Sequence, residues 1–228
     1  MKGRYCVVIP ALNSAETIVA LIHGIKSHGQ ELGIVVVDDG STDRTAAAAA
    51  GAGALVISHL RNQGKGRALR TGFEHALRAR YDGVVTMDSD GQHDPAEIPA
   101  LIQAAEHEHA ALVLGDRLSN GHPMPAARRM TNRFMSLVVS WCTRQHIPDS
   151  QCGFRFIRRE VLESVPLRSR LYEIETELLL RASHRKWKII SIPVRSIYGG
   201  HASRIRPLRD ALRFIGVLLR SLLWSRRA

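Results

Sequence analysis

The 228-residue sequence predicts an α/β fold with a largely parallel central sheet and helices on both faces. Three observations predict it. Short β-branched runs alternate with helix-patterned segments through the first half, which implies right-handed crossovers between parallel strands. One run, Ile34-Val35-Val36-Val37, is apolar at consecutive positions, as a strand covered on both faces must be. Helix starts are also marked. Asn13 with Glu16, and Asp94-Pro95-Ala96-Glu97, each read as a cap followed by an acidic residue in the first turn.

Taken in order, strands are predicted at Tyr5–Ile9, Ile34–Asp38, Leu55–Ser58, Gly83–Met87 and Ala111–Gly115. Helices are predicted between them near Ala15–His28, Arg44–Ala50, Gly66–Arg80 and Pro95–His107. The alanine run Ala46–Ala50 belongs to a helix, because alanine loses least on helix formation. In the less regular second half the pattern gives helices over Ala126–Arg144 and Glu173–Arg185, and strands near Gly153–Ile157 and Lys188–Pro193. The length suits one domain, over residues 1–206, with a basic helix over 207–228.

The formal net charge is +11, from 32 Lys+Arg against 21 Asp+Glu, so polyanions are expected partners. Cys6, Cys142 and Cys152 lie far apart and form no zinc or disulfide framework, which places the chain in a reducing compartment. No stretch approaches the roughly 20 apolar residues a bilayer span needs. Aromatic residues are 5% of the chain and do not alternate with the cations, so a nucleic-acid stacking surface is not expected.

In an open parallel sheet, ligands bind beyond the carboxyl ends of the strands. Polar clusters fall at those ends here: Pro10-Ala11-Leu12-Asn13, Asp38-Asp39-Gly40-Ser41-Thr42-Asp43 and Asp88-Ser89-Asp90-Gly91-Gln92-His93. If the last segment stays extended, Asp88 and Asp90 project to one side. Two carboxylates with open positions suit Mg²⁺ or Mn²⁺ bridging a diphosphate, with Gln92 as a third oxygen. Asn62-Gln63-Gly64-Lys65-Gly66-Arg67 is a glycine-rich helix entry with cations for an anion, although it lacks the P-loop spacing. Glu106-His107-Glu108-His109 resembles a metal cluster, but neighbours on a helix diverge, so it reads as a solvated helix end.

Taken together, these segments resemble the family-2 glycosyltransferases of GT-A type, in particular the dolichyl- or polyprenyl-phosphate sugar synthase branch. Val36-Val37-Asp38-Asp39-Gly40-Ser41, Asn62-Gln63-Gly64-Lys65-Gly66, Met87-Asp88-Ser89-Asp90-Gly91-Gln92-His93 and Asp149-Ser150-Gln151-Cys152-Gly153-Phe154-Arg155 follow that family's order. The resemblance implies that Pro10, Ala11, Leu12, Asn13, Asp38 and Asp39 hold base and ribose, with Lys65 and Ser89 nearby. It implies that Asp88, Asp90 and Gln92 take the metal. On the acceptor side it points to Arg117, Arg129, Arg133 and Arg155 as phosphate ligands, and to Ser203 and Arg204 as a segment closing over the diphosphate. Asp149 and then Glu175 are the expected bases.

The implied activity is inverting transfer of a sugar from a UDP- or GDP-sugar donor. The expected acceptor is a polyprenyl (undecaprenyl or dolichyl) phosphate, with a soluble sugar or protein as one alternative. The other alternative is a non-enzymatic basic nucleic-acid- or membrane-binding protein. The C-terminal segment favours the lipid. From His201 onward it carries seven arginines and one aspartate, with Leu208, Leu212, Ile215, Leu219 and Leu223 on a neighbouring face. That pattern reads as an interfacial helix on an anionic membrane, at its cytoplasmic surface. A sugar-1-phosphate nucleotidyltransferase would carry a Gly-rich signature after its first strand, where this chain has Pro-Ala-Leu-Asn.

Overall fold

A computed structural model describes residues 3–28, 31–119, 124–197 and 207–224. The first half is β1 (Tyr5–Ala11), α1 (Ala15–His28), β2 (Gly33–Asp38), α2 (Thr45–Gly51), β3 (Leu55–Ser58), α3 (Lys65–Arg78) and β4 (Gly83–Thr86). A 3-10 turn, Pro95–Glu97, leads into α4 (Ile98–His107) and β5 (Leu112–Asp116). Then come α5 (Ala126–Thr143), β6 (Arg155–Arg158), α6 (Arg159–Ser164), α7 (Ile174–His184), β7 (Ile189–Pro193) and α8 (Pro207–Trp224). Among the described residues, only the short α6 has no counterpart in the sequence pattern.

One seven-stranded sheet runs in the order β3-β2-β1-β4-β6-β5-β7. β1 to β4 pair in parallel, as do β5 and β7, whereas β6 is antiparallel to both β4 and β5. Arg155, the first residue of β6, pairs with Thr86, the last of β4. The chain therefore enters β6 from the carboxyl edge, and residues 149–154 lie where the ligand loops gather.

Side chains alternate across the central strands. Tyr5, Val7 and Ile9 face Ile18 and Ile22 of α1 and Leu101 of α4. Cys6 and Val8 face Leu69 and Phe73 of α3 and Leu178 of α7 on the other side. Each large apolar side chain removed from water here contributes roughly 1.5–3 kcal/mol, so both helical layers are held by the central strands. Helix α8 packs on α7 and buries Phe214 and Val217, while Arg181 stacks 3.7 Å from the Trp224 ring centroid. No helix among the described residues is long and apolar enough to cross a membrane.

Of the two predicted caps, Asp94 accepts a hydrogen bond from the Ala96 N–H as expected. Asn13 does not cap α1, which starts at Ala15. Asn13 has φ +48°, a left-handed conformation asparagine tolerates, and its Oδ1 accepts from the Thr42 N–H at 2.8 Å. It ties the loop after β1 to the loop after β2.

Candidate functional site

The polar clusters meet at the carboxyl edge of the sheet. Pro10 and Ala11 continue β1 and pair with Val37 and Asp38, so the first loop proper begins at Leu12. Asp38 is buried and its Oδ1 accepts from the Ser41 N–H, bending the chain away from β2. Asp39 faces the other way. Its Oδ1 accepts from Gln63 N–H and contacts His59 Nδ1 at 2.7 Å, and its Oδ2 accepts from Gly64 N–H at 2.7 Å. This carboxylate shapes the glycine turn that launches Lys65. Ser89 turns toward α1, with its hydroxyl 2.9 Å from that of Ser14.

Lys65 is the centre of the site. Its ammonium lies 2.6 Å from Asp88 Oδ1 and 2.7 Å from Glu175 Oε1, and 5.5 Å from the Tyr172 ring centroid. Burial disfavours the ammonium, but the Asp88 and Glu175 carboxylates overcome it and hold its pKa above the usual lysine value. Burial likewise opposes the charge on Asp88, yet Lys65 pulls that carboxyl below its ordinary value. Asp90 shifts upward, first through desolvation and then through the neighbouring Asp88 charge. Lys65 thus counters the charge of Asp88, whereas burial and the Asp88 charge both oppose ionisation of Asp90.

The Asp-x-Asp segment is not extended as the sequence reading required. β4 ends at Thr86, and Ser89-Asp90 form a turn in which Asp90 Oδ1 accepts from the Gln92 N–H at 3.0 Å. The turn, with Gly91 at φ +72°, leaves Asp90 near enough to Asp88 for that charge to help raise its carboxyl pKa. Next to it, His93 is buried against Phe154 at 5.2 Å between ring centroids, and burial lowers its pKa to about 4.

Gly153 makes room for Asp88. A Cβ there would stand 2.6 Å from Asp88 Oδ2. Gly153→Ala is therefore expected to displace that carboxylate and lower kcat/KM by about 10–100-fold with little change in melting temperature. Steady-state kinetics beside a thermal melt check it.

On the far side of the cleft, Arg117 and Asp149 form a buried ion pair. Arg117 Nε donates to Asp149 Oδ2 at 2.8 Å and Nη2 to Oδ1 at 3.1 Å, and Asp149 is fully buried. Asp149 also accepts from the Gln151 N–H, so the expected base is a carboxylate whose oxygens are already engaged. Glu175, the other expected base, holds Lys65. Arg155 corrects its expectation as a phosphate ligand. Its guanidinium donates to the carbonyls of Cys152, Glu175 and Ser150 at 2.7–2.8 Å and is 1% exposed, so it braces the backbone around the site. Arg129 donates to the Met124 carbonyl, and Arg133 is exposed on α5. Ser203 and Arg204 lie outside the described residues.

Two groups escaped sequence reasoning. His59 joins Asp39 to the Thr71 hydroxyl, and nothing in its local sequence signals this. Buried Glu177 accepts from the Arg168 and Ser169 N–H groups and from Arg181 Nε. It fixes the loop whose Arg170 carbonyl receives the Arg67 N–H beside Lys65. Burial alone would raise the Glu177 carboxyl, but those backbone donors and Arg181 hold it below its ordinary value. A depressed carboxylate stabilises the fold above its unfolded pKa, about 4.3, and loses that contribution as pH falls through the folded value. The stability gap between wild type and Glu177→Gln is expected to be full above about pH 5 and to shrink below about pH 4 in urea titrations.

Among the described residues no group of three His, Cys, Asp or Glu side chains converges on a metal position. Asp88 and Asp90 nevertheless fit a divalent cation. They are oxygen donors near one another, and burial followed by the Asp88 charge raises the Asp90 carboxyl, so a cation there would relieve both. Mg²⁺-type ions are commonly held by one or two carboxylates together with substrate phosphates.

A family model described as glycosyl transferase family 2 matches residues 6–165. The chain is 29% identical to a UDP-N-acetylglucosamine–dolichyl-phosphate N-acetylglucosaminyltransferase of Methanococcus voltae, covering 84% of each chain. It is 30% identical to a polyprenol monophosphomannose synthase of Mycolicibacterium smegmatis, over 84% of this chain and 76% of that protein. Among solved structures it resembles glucosyl-3-phosphoglycerate synthase from Mycobacterium tuberculosis in complex with Mn²⁺, UDP and glucosyl-3-phosphoglycerate. There the TM-score is 0.73 at 26% identity, covering 96% of this chain and 80% of that one.

Proposed function

Because this chain belongs to glycosyl transferase family 2, we propose that it moves a sugar from a UDP- or GDP-sugar to a polyprenyl phosphate at a membrane surface. The observation that carries the reading is the 2.6 Å pairing of Asp88 with Lys65 next to the Ser89-Asp90 turn. That arrangement matches a donor diphosphate held between a cation and a lysine. The relatives named for dolichyl- and polyprenyl-phosphate chemistry support the acceptor.

In this reading Asp88 and Asp90 hold Mg²⁺ or Mn²⁺, with Gln92 beside them. Bound there, such an ion would supply Lewis-acid chemistry toward the diphosphate leaving group. Lys65 adds positive charge on the same side, kept ionised by Asp88 and Glu175. Leu12, Asn13 and Asp38 border the space for base and ribose. An oxygen of the acceptor phosphate attacks the anomeric carbon as the bond to the diphosphate breaks, inverting that carbon. A phosphate acceptor is already ionised near neutral pH, so it needs orientation by Arg117 more than deprotonation. An acceptor hydroxyl would need a base.

The reading also places the protein peripherally on the cytoplasmic membrane face, with residues 207–228 contributing. Deleting α8 would uncover the core beneath Phe214, so the sharper variant replaces its exposed Ile215 and Leu219 by glutamine. Co-sedimentation with anionic vesicles is expected to fall by about three- to tenfold. Unchanged sedimentation would remove α8 from the membrane contact.

The functional test is calorimetry with Mn²⁺ against UDP and GDP, followed by transfer assays on polyprenyl phosphate and on phosphoglyceric acid. Metal-dependent binding of one nucleotide and transfer to the lipid are expected. Transfer to phosphoglyceric acid alone would move the assignment to a soluble acceptor, the chemistry of the solved neighbour. Binding of neither nucleotide by folded protein would overturn the reading.

A further inference from the structure

Helix α5 is two-sided in a way the transfer reaction does not require. Its inner face buries Asn132, Ser136, Val139 and Thr143. Its outer face leaves Met130, Phe134, Leu137 and Trp141 exposed at 72, 65, 69 and 82%. At 100° per residue these four fall within an arc of about 60°, along about 16 Å of helix axis. An unbroken row of four large apolar side chains in water marks an interaction surface, not scattered surface hydrophobicity.

The charge around the row identifies its occupant. From Ala126 to Arg144 the chain carries Arg128, Arg129, Arg133 and Arg144 and no acidic residue. On the helical wheel Arg133 adjoins the apolar arc, and it is exposed. A second copy of this chain docked on the row would bring the same cations together across the contact, which is unfavourable. A surface that is apolar inside and anionic at its edge complements both features.

We propose that α5 is a membrane-insertion face, lying in the plane of an anionic lipid surface. Met130, Phe134, Leu137 and Trp141 enter the acyl region, and the arginines meet headgroup phosphates. The inner face of the same helix reaches the site. Ser136 Oγ accepts from the Ser150 N–H at 2.9 Å and Ser140 Oγ from the Ile147 N–H at 3.0 Å, on either side of Asp149, the partner of Arg117. A helix seated among headgroups therefore sets the acceptor side of the cleft at the membrane. The proposal rests on exposure and charge and holds whichever acceptor the cleft takes.

The test uses the full chain and vesicles of phosphatidylglycerol or phosphatidylcholine free of any polyprenyl lipid, so binding is read independently of transfer. The variants are Met130→Gln/Phe134→Gln/Leu137→Gln/Trp141→Gln together and Trp141→Gln alone. Wild type is expected to co-sediment with phosphatidylglycerol and far less with phosphatidylcholine. The fourfold variant should bind at least about tenfold more weakly while retaining its melting temperature, and the single variant should fall between. Wild-type binding by the variants, or absence of vesicle binding by wild type, overturns the proposal. So does a lipid-free wild-type dimer that the fourfold variant converts to monomer with vesicle binding unchanged, which would assign the row to self-association.

Discussion

Asp90→Asn is expected to lower sugar transfer by about 100-fold or more while leaving the melting temperature unchanged or slightly higher. The two effects have opposite signs for one physical reason. Asp90 sits beside Asp88, and desolvation together with that neighbouring charge raises its carboxyl pKa. Holding Asp90 ionised at neutral pH therefore works against the folded state, and asparagine removes the repulsion. The charge that strains the free protein is the one a cation at the diphosphate needs. Lys65→Ala should show the opposite pattern in stability, because it strands Asp88 and Glu175 without their shared counter-ion. Thermal melts alone and with Mn²⁺ and nucleotide, beside steady-state kinetics, make the comparison. Full turnover in Asp90→Asn would remove Asp90 from the metal site.

Asp149→Ala should be the most destabilising single change at the site, by about 3–5 kcal/mol, because it leaves the Arg117 guanidinium buried without its counter-ion. Urea unfolding is expected to show a lower midpoint at unchanged m-value. The double variant Arg117→Met/Asp149→Leu should recover most of that stability, since an apolar pair of similar volume costs little where an ion pair was buried. It should not recover transfer if Arg117 orients the acceptor. Asp149→Asn separates the remaining role. If Asp149 takes a proton from an acceptor hydroxyl, that variant loses kcat beyond what its lost stability explains. If the acceptor is a phosphate, the loss of kcat follows the loss of the Arg117 contact and the rate shows no titration of a base.

Particular residues show how far the sequence carried. Ile34–Val37 is apolar at every position, and the strand is buried between two helical layers as that run requires. Asp94 caps its turn because the contact spans two residues and needs nothing else from the fold. Asn13 departs from the predicted cap for the converse reason. Its partner is Thr42 in another loop, and a left-handed φ cannot be told from a cap by spacing. The family resemblance implies an anion-binding role for Arg155. Burial in β6 gave it three carbonyls instead.

The chain of residues alone accounts for the alternation of strand and helix, the family it resembles, and the gathering of Asp38, Asp39, Asp88 and Asp90 at one edge. Those features depend on local periodicity, and a parallel sheet sends every strand end the same way. The working contacts do not depend on it. Lys65 meets Glu175 across 110 residues, and Arg117 meets Asp149 because β6 is inserted antiparallel between β4 and β5. The row on α5 becomes an exposed surface only once the packing leaves that side of the helix uncovered. Each of these needs the path of the chain in space, since burial and charge pairing depend on which distant segments come together and not on how neighbours are spaced.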